Sequence, residues 1–395
     1  MKVPQHSLTT GLLLIWLTLS LSAEWPRHTI DNTSRGADGV RLADVNGDRL
    51  PDIATGWEEG GLVRVYLHPG WSRVRDPWPR VTVGNVSSPE DAFFVDLDDN
   101  GHWDVISSCE GKTRTLYLHQ APSTVADYLD ESAWKTRAIP ASVQRELWMF
   151  GLPLNNAKAK LEQLIVSSKG NGASVSRVQL PSSHRSIDQW HIERLYSAGW
   201  IMSLQPFDFN GDGALDVLVS DRRGEQSGVL WLENSVTVPW PKHPIGATGE
   251  EVMFLDLHED PKTKKLTIAV FAKPRQIFIF SRTSGSEQWK TQRHIIDAKI
   301  GTAKAVSFAD IDRDGQVDLV ASCEGATNAM GVFWFPIPES GQTKITRIND
   351  ISGIAGIKFD RLETLDLDGD GDLDVMTCEE RDNLGVIWYE NSGRF

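Results

Sequence analysis

One acidic pattern recurs along this chain and limits its fold more than any other feature. Residues 365–380 read LDLDGDGDLDVMTCEE, with Asp366, Asp368, Asp370 and Asp374 at positions 1, 3, 5 and 9 of a loop that runs into an apolar stretch. The same spacing holds for Asp44, Asn46, Asp48 and Asp52; for Asp96, Asp98, Asn100 and Asp104; for Asp208, Asn210, Asp212 and Asp216; and for Asp310, Asp312, Asp314 and Asp318. Two gaps between these five copies are double length, and each hides a degenerate copy. Glu251-Val-Met-Phe-Leu-Asp256-Leu keeps the approach and then runs His258-Glu-Asp260-Pro261; Leu147-Trp-Met-Phe-Gly-Leu152-Pro does the same without the acids. Anchors at 44, 96, 152, 208, 256, 310 and 366 give seven units. Their mean spacing, (366 − 44)/6 or about 54 residues, lies in the range of propeller blades.

Each unit carries four short apolar runs. In the first these are Val40-Arg-Leu-Ala, Asp52-Ile-Ala-Thr, Leu62-Val-Arg-Val-Tyr-Leu and Pro79-Arg-Val-Thr-Val. They are β-branched, alternating and separated by turn residues, as strands are. Fourth strands tend to open on tryptophan: Trp78, Trp134, Trp190, Trp240 and Trp289. Trp25-Pro-Arg-His-Thr-Ile reads as a fourth strand with no blade of its own, while the chain stops after a third strand. Residues 25–31 are therefore expected to complete blade seven, closing the ring and hiding its exposed edges. The expected fold is all-β: a seven-bladed β-propeller of four-stranded blades over residues 24–395. Residues 1–23 read as a secretory signal peptide, with Lys2 and His6 before an apolar run from Gly11 to Leu21 and small residues at Ser20 and Ser22. A single membrane anchor is the rival reading, but the run falls short of the roughly 20 residues that span a bilayer.

Repeats of the form D-x-[DN]-x-D-G-x-x-D before an apolar strand resemble the FG-GAP/VCBS family, which includes integrin α-subunit head domains and secreted bacterial proteins. The resemblance covers essentially the whole mature chain and implies the propeller fold. Calcium takes six to eight oxygen ligands, and side-chain oxygens at positions 1, 3, 5 and 9 supply most of them. Up to five structural calcium ions are expected, each tying the first strand of a blade to the second. Glycine at position 6 (Gly101, Gly213, Gly315, Gly371) permits positive φ; Arg49 replaces it in the first copy. An EF-hand is excluded, because position 12 holds Thr55, Ser107, Val219, Ala321 and Thr377 rather than glutamate. Solvated turns that bind no ion are the alternative.

Ligands are expected on the face opposite these loops. Six residues before the anchors stand Asp38, Glu90, Glu146, Met202, Glu250, Lys304 and Asp360, at the mouth of the central channel. After the second strands come Glu58, Glu110, Glu324 and Glu379 or Glu380 in blades one, two, six and seven. Lys169, Arg222 with Arg223, and Lys273 with Arg275 follow in blades three to five. The face is thus expected to divide into an acidic and a basic arc. Trp57 and Trp200 are candidate stacking platforms for sugar rings. Cys109, Cys323 and Cys378 repeat at one strand end and read as small packed positions, too far apart for disulfides.

A formal charge of −14, from 40 basic and 54 acidic residues, argues against a nucleic-acid partner. The leading expectation is a secreted (extracellular or periplasmic), monomeric, calcium-stabilised module that binds a carbohydrate or an extracellular protein at the channel mouth. The alternative is a sugar lyase or dehydratase using the acidic ring for acid/base chemistry or to hold a further divalent metal. No nucleophile elbow, zinc helix motif or phosphate loop is present.

Overall fold

Each repeat folds into one antiparallel sheet. The computed structural model describes residues 24–393 apart from 155–160, 162, 182, 185 and 284; the expected signal peptide lies outside the described residues. Blade 1 runs Ala37–Ala43, Asp52–Trp57, Leu62–Tyr66 and Arg80–Gly84, from the channel outward. The innermost strands of blades 2 to 7 are Pro89–Val95, Leu147–Leu154, Ile201–Phe207, Val252–Glu259, Thr302–Ala309 and Phe359–Leu365. These strands contact one another in sequence, and the last contacts the first, so seven blades surround one axis. Both degenerate units form full blades.

The ring closes as the sequence predicts. Arg27–Asp31 pairs antiparallel with Gly385–Tyr389 and becomes the outer strand of blade 7. The tryptophans before the outer strands repeat one tie. The amides of Trp25, Trp78 and Trp240 donate to Ile351, Ile30 and Leu195, each on or beside the outer strand of the preceding blade. Blade 5 has one strand the repeat does not predict, Lys344–Ile345, added parallel to Lys290–Ile296.

The core lies between blades. Phe93, Val95 and Ile106 of blade 2 pack on Trp148, Leu164 and Val166 of blade 3, all nearly inaccessible to water. The three cysteines are buried free thiols in such seams. Trp57 also belongs here: it is fully buried and its indole N–H donates to Tyr66 Oη at 2.9 Å. It is a core residue, not a stacking platform.

Candidate functional site

The pairing of first and second strands fixes which residues reach the channel mouth. Every innermost strand carries a register irregularity against its neighbour. The pairs at its mouth side are Ala37↔Trp57, Pro89↔Cys109, Trp148↔Ser168, Ile201↔Asp221, Val252↔Ala272, Ala303↔Cys323 and Phe359↔Glu379. The residues that follow the first member of each pair form an inner ring: Asp38, Glu90, Met149, Met202, Met253, Lys304 and Asp360. The residues that follow the second member form an outer ring: Glu58, Glu110, Lys169, Arg222, Lys273, Glu324 and Glu380.

Three expectations are corrected by this register. Glu146 and Glu250 precede the strands of blades 3 and 5, three residues short of the ring, because those degenerate units place their anchors three residues early. Glu146 turns into blade 3, accepting from Ser168 Oγ and Ser174 Oγ, and Glu250 lies 3.7 Å from Arg293. Glu379 is one residue off the outer ring. It is buried and accepts from the amides of Ile357, Lys358, Arg381, Asp382 and Leu384, bracing the loop beneath the mouth.

The rings enclose a pocket of about 300 Å³ that Asp38, Glu58, Glu90, Glu110, Lys169, Trp200, Arg222, Lys304, Glu324 and Asp360 help to line. Of the residues expected on this face, Glu146, Glu250, Glu379, Glu380, Arg223, Lys273, Arg275 and Trp57 are not among those that line it. Charge is divided by blade. Glutamates fill the outer ring on blades 6, 7, 1 and 2, and cations fill it on blades 3 to 5. The inner ring is charged on the first arc and methionine on the second, with Phe150 and Phe254 adding to an apolar floor. The arcs are stitched where they meet: Lys169 pairs with Glu110 and lies 3.7 Å from Glu90, and Lys273 lies 2.5 Å from Glu324. The acidic arc is not purely acidic, because Lys304 and Lys358 stand within it.

Asp38, Lys304, Asp360 and Glu380 are all at least nine-tenths buried. Lys304 Nζ lies 2.9 Å from Asp360 and 3.5 Å from Glu380, and Lys358 binds the other oxygen of Glu380. Burial, then the Asp360, Glu90 and Glu380 carboxylates, push Asp38 well above the usual carboxylate range. Burial would also raise Asp360, but Lys304, the hydrogen bond from Asp38 and Lys358 outweigh it and hold that carboxyl low. The surroundings thus push Asp38 toward its protonated form and Asp360 toward its ionised form. Glu90 is pushed up to about 8, by burial first, with Glu110 and Glu58 adding to it against Lys169. Oxygens of Asp38, Asp360 and Glu380 converge within 4.8 Å, the spacing of a metal site. The Lys304 ammonium stands in the place of a cation there, and oxygens of Asp38, Glu58 and Glu90 converge within the same distance beside it.

Trp200 stands at the centre of the basic arc. The Lys169 ammonium and the Arg222 and Arg223 guanidinium groups lie 4.8, 4.3 and 4.8 Å from its ring. Asp221 fixes it by accepting the Trp200 amide at 2.9 Å. Sequence reasoning missed Lys358, Glu251 (bound to Arg222 at 2.5 Å) and Met149 with Met253. Only the two methionines carried a usable signal, the Trp-Met-Phe and Val-Met-Phe runs of the degenerate units.

On the opposite face the acidic loops repeat one geometry. The position-1 carboxylate accepts loop amides, as in Gly211 and Gly213 to Asp208 at 2.7 and 3.0 Å. The position-9 carboxylate bridges two strand ends, as in Leu367 and Asn391 to Asp374, both at 2.9 Å. Position 6 has positive φ in every copy, including Arg49 at 69°, where a side chain costs roughly 1–2 kcal/mol. Three carboxylates converge within 4.8 Å in two copies, Asp310, Asp312 and Asp318, and Asp366, Asp368 and Asp374. The other three copies have asparagine at position 3 or 5. Burial, with repulsion from the carboxylates at positions 3 and 5, pushes Asp374 up to about 7. Hard oxygen donors whose repulsion is uncompensated fit a hard cation.

No protein-family model and no curated protein matches the chain. Among solved structures it is similar to Sqt1 of Saccharomyces cerevisiae, at 12% identity over 93% of this chain and 98% of that one, with a TM-score of 0.50. It is also similar to BBS1N, solved in complex with ARL6DN, at 9% identity over 93% and 99%, with a TM-score of 0.51. Likeness at such identities concerns the fold alone.

Proposed function

We propose that this β-propeller is an exported binding module of the FG-GAP/VCBS type, held together by calcium and seating a polar group of an extracellular carbohydrate or protein in its channel mouth. What carries this reading is the two-arc pocket. A ligand's anionic or hydroxyl-rich end meets Arg222 and Lys169 beside the Trp200 ring, and its apolar body rests on Met149, Met202 and Phe254. Within the pocket wall Lys169, Arg222, Lys304 and Lys358 are already paired with carboxylates, so an anionic ligand exchanges partners with them rather than neutralising a bare charge. The BBS1N structure holds a protein, which favours a protein partner among the two classes. In the loops, the oxygens at positions 1, 3, 5 and 9 would hold calcium, which supplies no chemistry beyond tying strands together.

An enzyme is the second reading, favoured by one observation: the Asp38, Asp360 and Glu380 carboxylates converge within 4.8 Å at the mouth, a geometry that acid/base catalysis on a sugar uses. One experiment separates the two. Arrays of glycans and of envelope and matrix proteins are probed with the wild type and with Trp200→Ala and Arg222→Gln, while release of unsaturated sugar is monitored. Binding lost in both variants without product supports the module. Product lost in Asp360→Asn supports the enzyme. A ligand indifferent to all three variants places the site elsewhere.

A further inference from the structure

We infer, on the calcium reading proposed above, that the acidic loop of blade 7 is a latch: an ion held by residues 366–374 fastens the amino-terminal strand that closes the ring. In blades 1, 2, 4 and 7 the position-9 carboxylate accepts the amide at the end of its own third strand. Asp52 takes it from His68 at 2.8 Å, Asp104 from Ala121 at 2.7 Å, Asp216 from Asn234 at 2.8 Å and Asp374 from Asn391 at 2.9 Å. One residue earlier, the same strand end gives a rung to the fourth strand. The amides of Leu67, Glu233 and Glu390 donate to the carbonyls of Pro79, Pro241 and Pro26 at 3.0, 2.9 and 2.8 Å. Acidic loop and outer strand therefore grip adjacent residues, and a displacement of one grip moves the other.

Blades 4 and 7 share the fullest form of this clasp. Trp240-Pro-Lys-His243 and Trp25-Pro-Arg-His28 open their fourth strands, and Glu233-Asn234 and Glu390-Asn391 end their third. His243 Nε2 lies 2.8 Å from Glu233, and His28 Nε2 lies 2.7 Å from Glu390. In blade 4 the short connection 233–241 keeps the two strands together whatever its loop does. In blade 7 the clasped residues, His28 and Glu390, stand 362 positions apart in the chain, so no such connection joins them. The same clasp that is a local tie in blade 4 decides in blade 7 whether the ring is shut.

Blade 7 has a second route from loop to strand. Arg75 of blade 1 lies 2.8 Å from Glu390 and 2.5 Å from Asp368, at position 3 of the loop. Glu390 is thus fixed from the loop twice, through Asn391 to Asp374 and through Arg75 to Asp368, and it touches the closing strand at both Pro26 and His28. At its other end the strand is anchored to blade 1, where Asp31 accepts from Arg64 at 2.5 Å and from Tyr66 Oη at 2.9 Å. Opening therefore starts at Trp25, the end that Glu390 holds. With an ion in place, Asp368 and Asp374 are fixed where Arg75 and Asn391 grip them. Without one, the crowded carboxylates repel and the grip loosens. Such coupling is reciprocal, so a docked strand also raises the affinity of the loop for the ion.

The test is hydrogen exchange of the full mature chain, followed by mass spectrometry in saturating calcium and in chelator, with calorimetric titration of the metal-free chain alongside. Residues 25–31 report the latch, and Lys242–Gly246, the outer strand of blade 4, is the reference. The variants are Asp366→Asn in the loop of blade 7, Asp208→Asn at the same position in blade 4, and Glu390→Ala in the clasp. Expected is that calcium slows exchange over residues 25–31 about tenfold or more beyond its effect on the reference, the usual size of a coupling between two sites. Asp208→Asn should keep that difference, while Asp366→Asn and Glu390→Ala should each remove most of it. Equal slowing of both strands, the same loss in Asp208→Asn as in Asp366→Asn, or insensitivity to Glu390→Ala overturns the latch. Calcium taken up with no protection of the closing strand overturns the latch alone, whereas no uptake of calcium overturns the calcium reading with it.

Discussion

Lys304→Met should destabilise the propeller in a pH-dependent way. The ammonium is about one-twentieth exposed and serves Asp360 at 2.9 Å and Glu380 at 3.5 Å. Methionine fills the same volume and leaves the carboxylates buried beside an apolar chain. Removing one partner of a buried pair costs about 3–5 kcal/mol. Residues 24–393 form one ring, and at about 2.1 cal/mol/K per residue their unfolding entropy is about 0.8 kcal/mol/K, so the melting temperature should fall by about 4–6 °C at pH 8. The sign with pH follows from Asp360. In the wild type its carboxyl is held below the unfolded value, so its contribution is present above about pH 4 and lost as pH falls further. Without Lys304, burial raises it above the unfolded value, and the penalty then grows as pH rises. Melts followed by circular dichroism at pH 5 and pH 8, with calcium present, should show the smaller deficit at pH 5. Lys304→Met/Asp360→Asn should melt above Lys304→Met at pH 8, since the amide carries no charge. A deficit below about 1 °C at pH 8, or strict additivity of the two substitutions, refutes this account of the mouth.

Three further outcomes are expected. Chelation should lower the melting temperature, by about 3 °C for each site that had been held at a hundredfold excess over its dissociation constant, and Asp374→Asn should reduce that drop; a melt unchanged in verified metal-free protein removes the structural role for calcium. Glu90, pushed up to about 8, keeps a proton that the unfolded chain releases near pH 4.5, so stability should fall as pH rises between these values with a slope of up to about 1.4 kcal/mol per pH unit; Glu90→Gln should flatten that slope in calcium-loaded protein, and an unchanged slope would exonerate Glu90. Deleting residues 24–31 should cost cooperativity and solubility, because it bares the edge of Gly385–Tyr389 and opens the seam around Trp388; a sharp wild-type melt and unchanged gel-filtration elution would contradict ring closure by this strand.

The frame was legible because it repeats. Seven copies of one acidic approach, and a stray fourth strand at the amino end, determine blade number, topology and closure without reference to any particular core contact. The mouth was legible where the copies are intact: Asp38, Glu90, Lys304 and Asp360 stand where the spacing puts them. It failed at Glu146 and Glu250 because the degenerate units lack the full set of acids that marks the loop, leaving only the Trp-Met-Phe and Val-Met-Phe runs to indicate a register that the strand pairing fixes. Lys358, which reaches Glu380 from the connection between blades 6 and 7, lies outside the repeat and gave no signal at all.

Symmetry itself forbids a uniform mouth. Seven carboxylates copied around one narrow, buried ring would repel one another and lack solvation, and most would stay protonated. The chain departs from the repeat in both ways that relieve this. Methionine takes the inner position on three consecutive blades, where the outer ring carries Lys169, Arg222 and Lys273. Lys304 takes it on the blade beside Asp360, where the acids would otherwise crowd. The remaining acids, Asp360, Asp38 and Glu90, fall on consecutive blades, and of the first two Asp38 is pushed toward its protonated form while Lys304 holds the Asp360 carboxyl low. In this propeller the intact copies set the ring, and the departures from the copy divide the charge of its mouth.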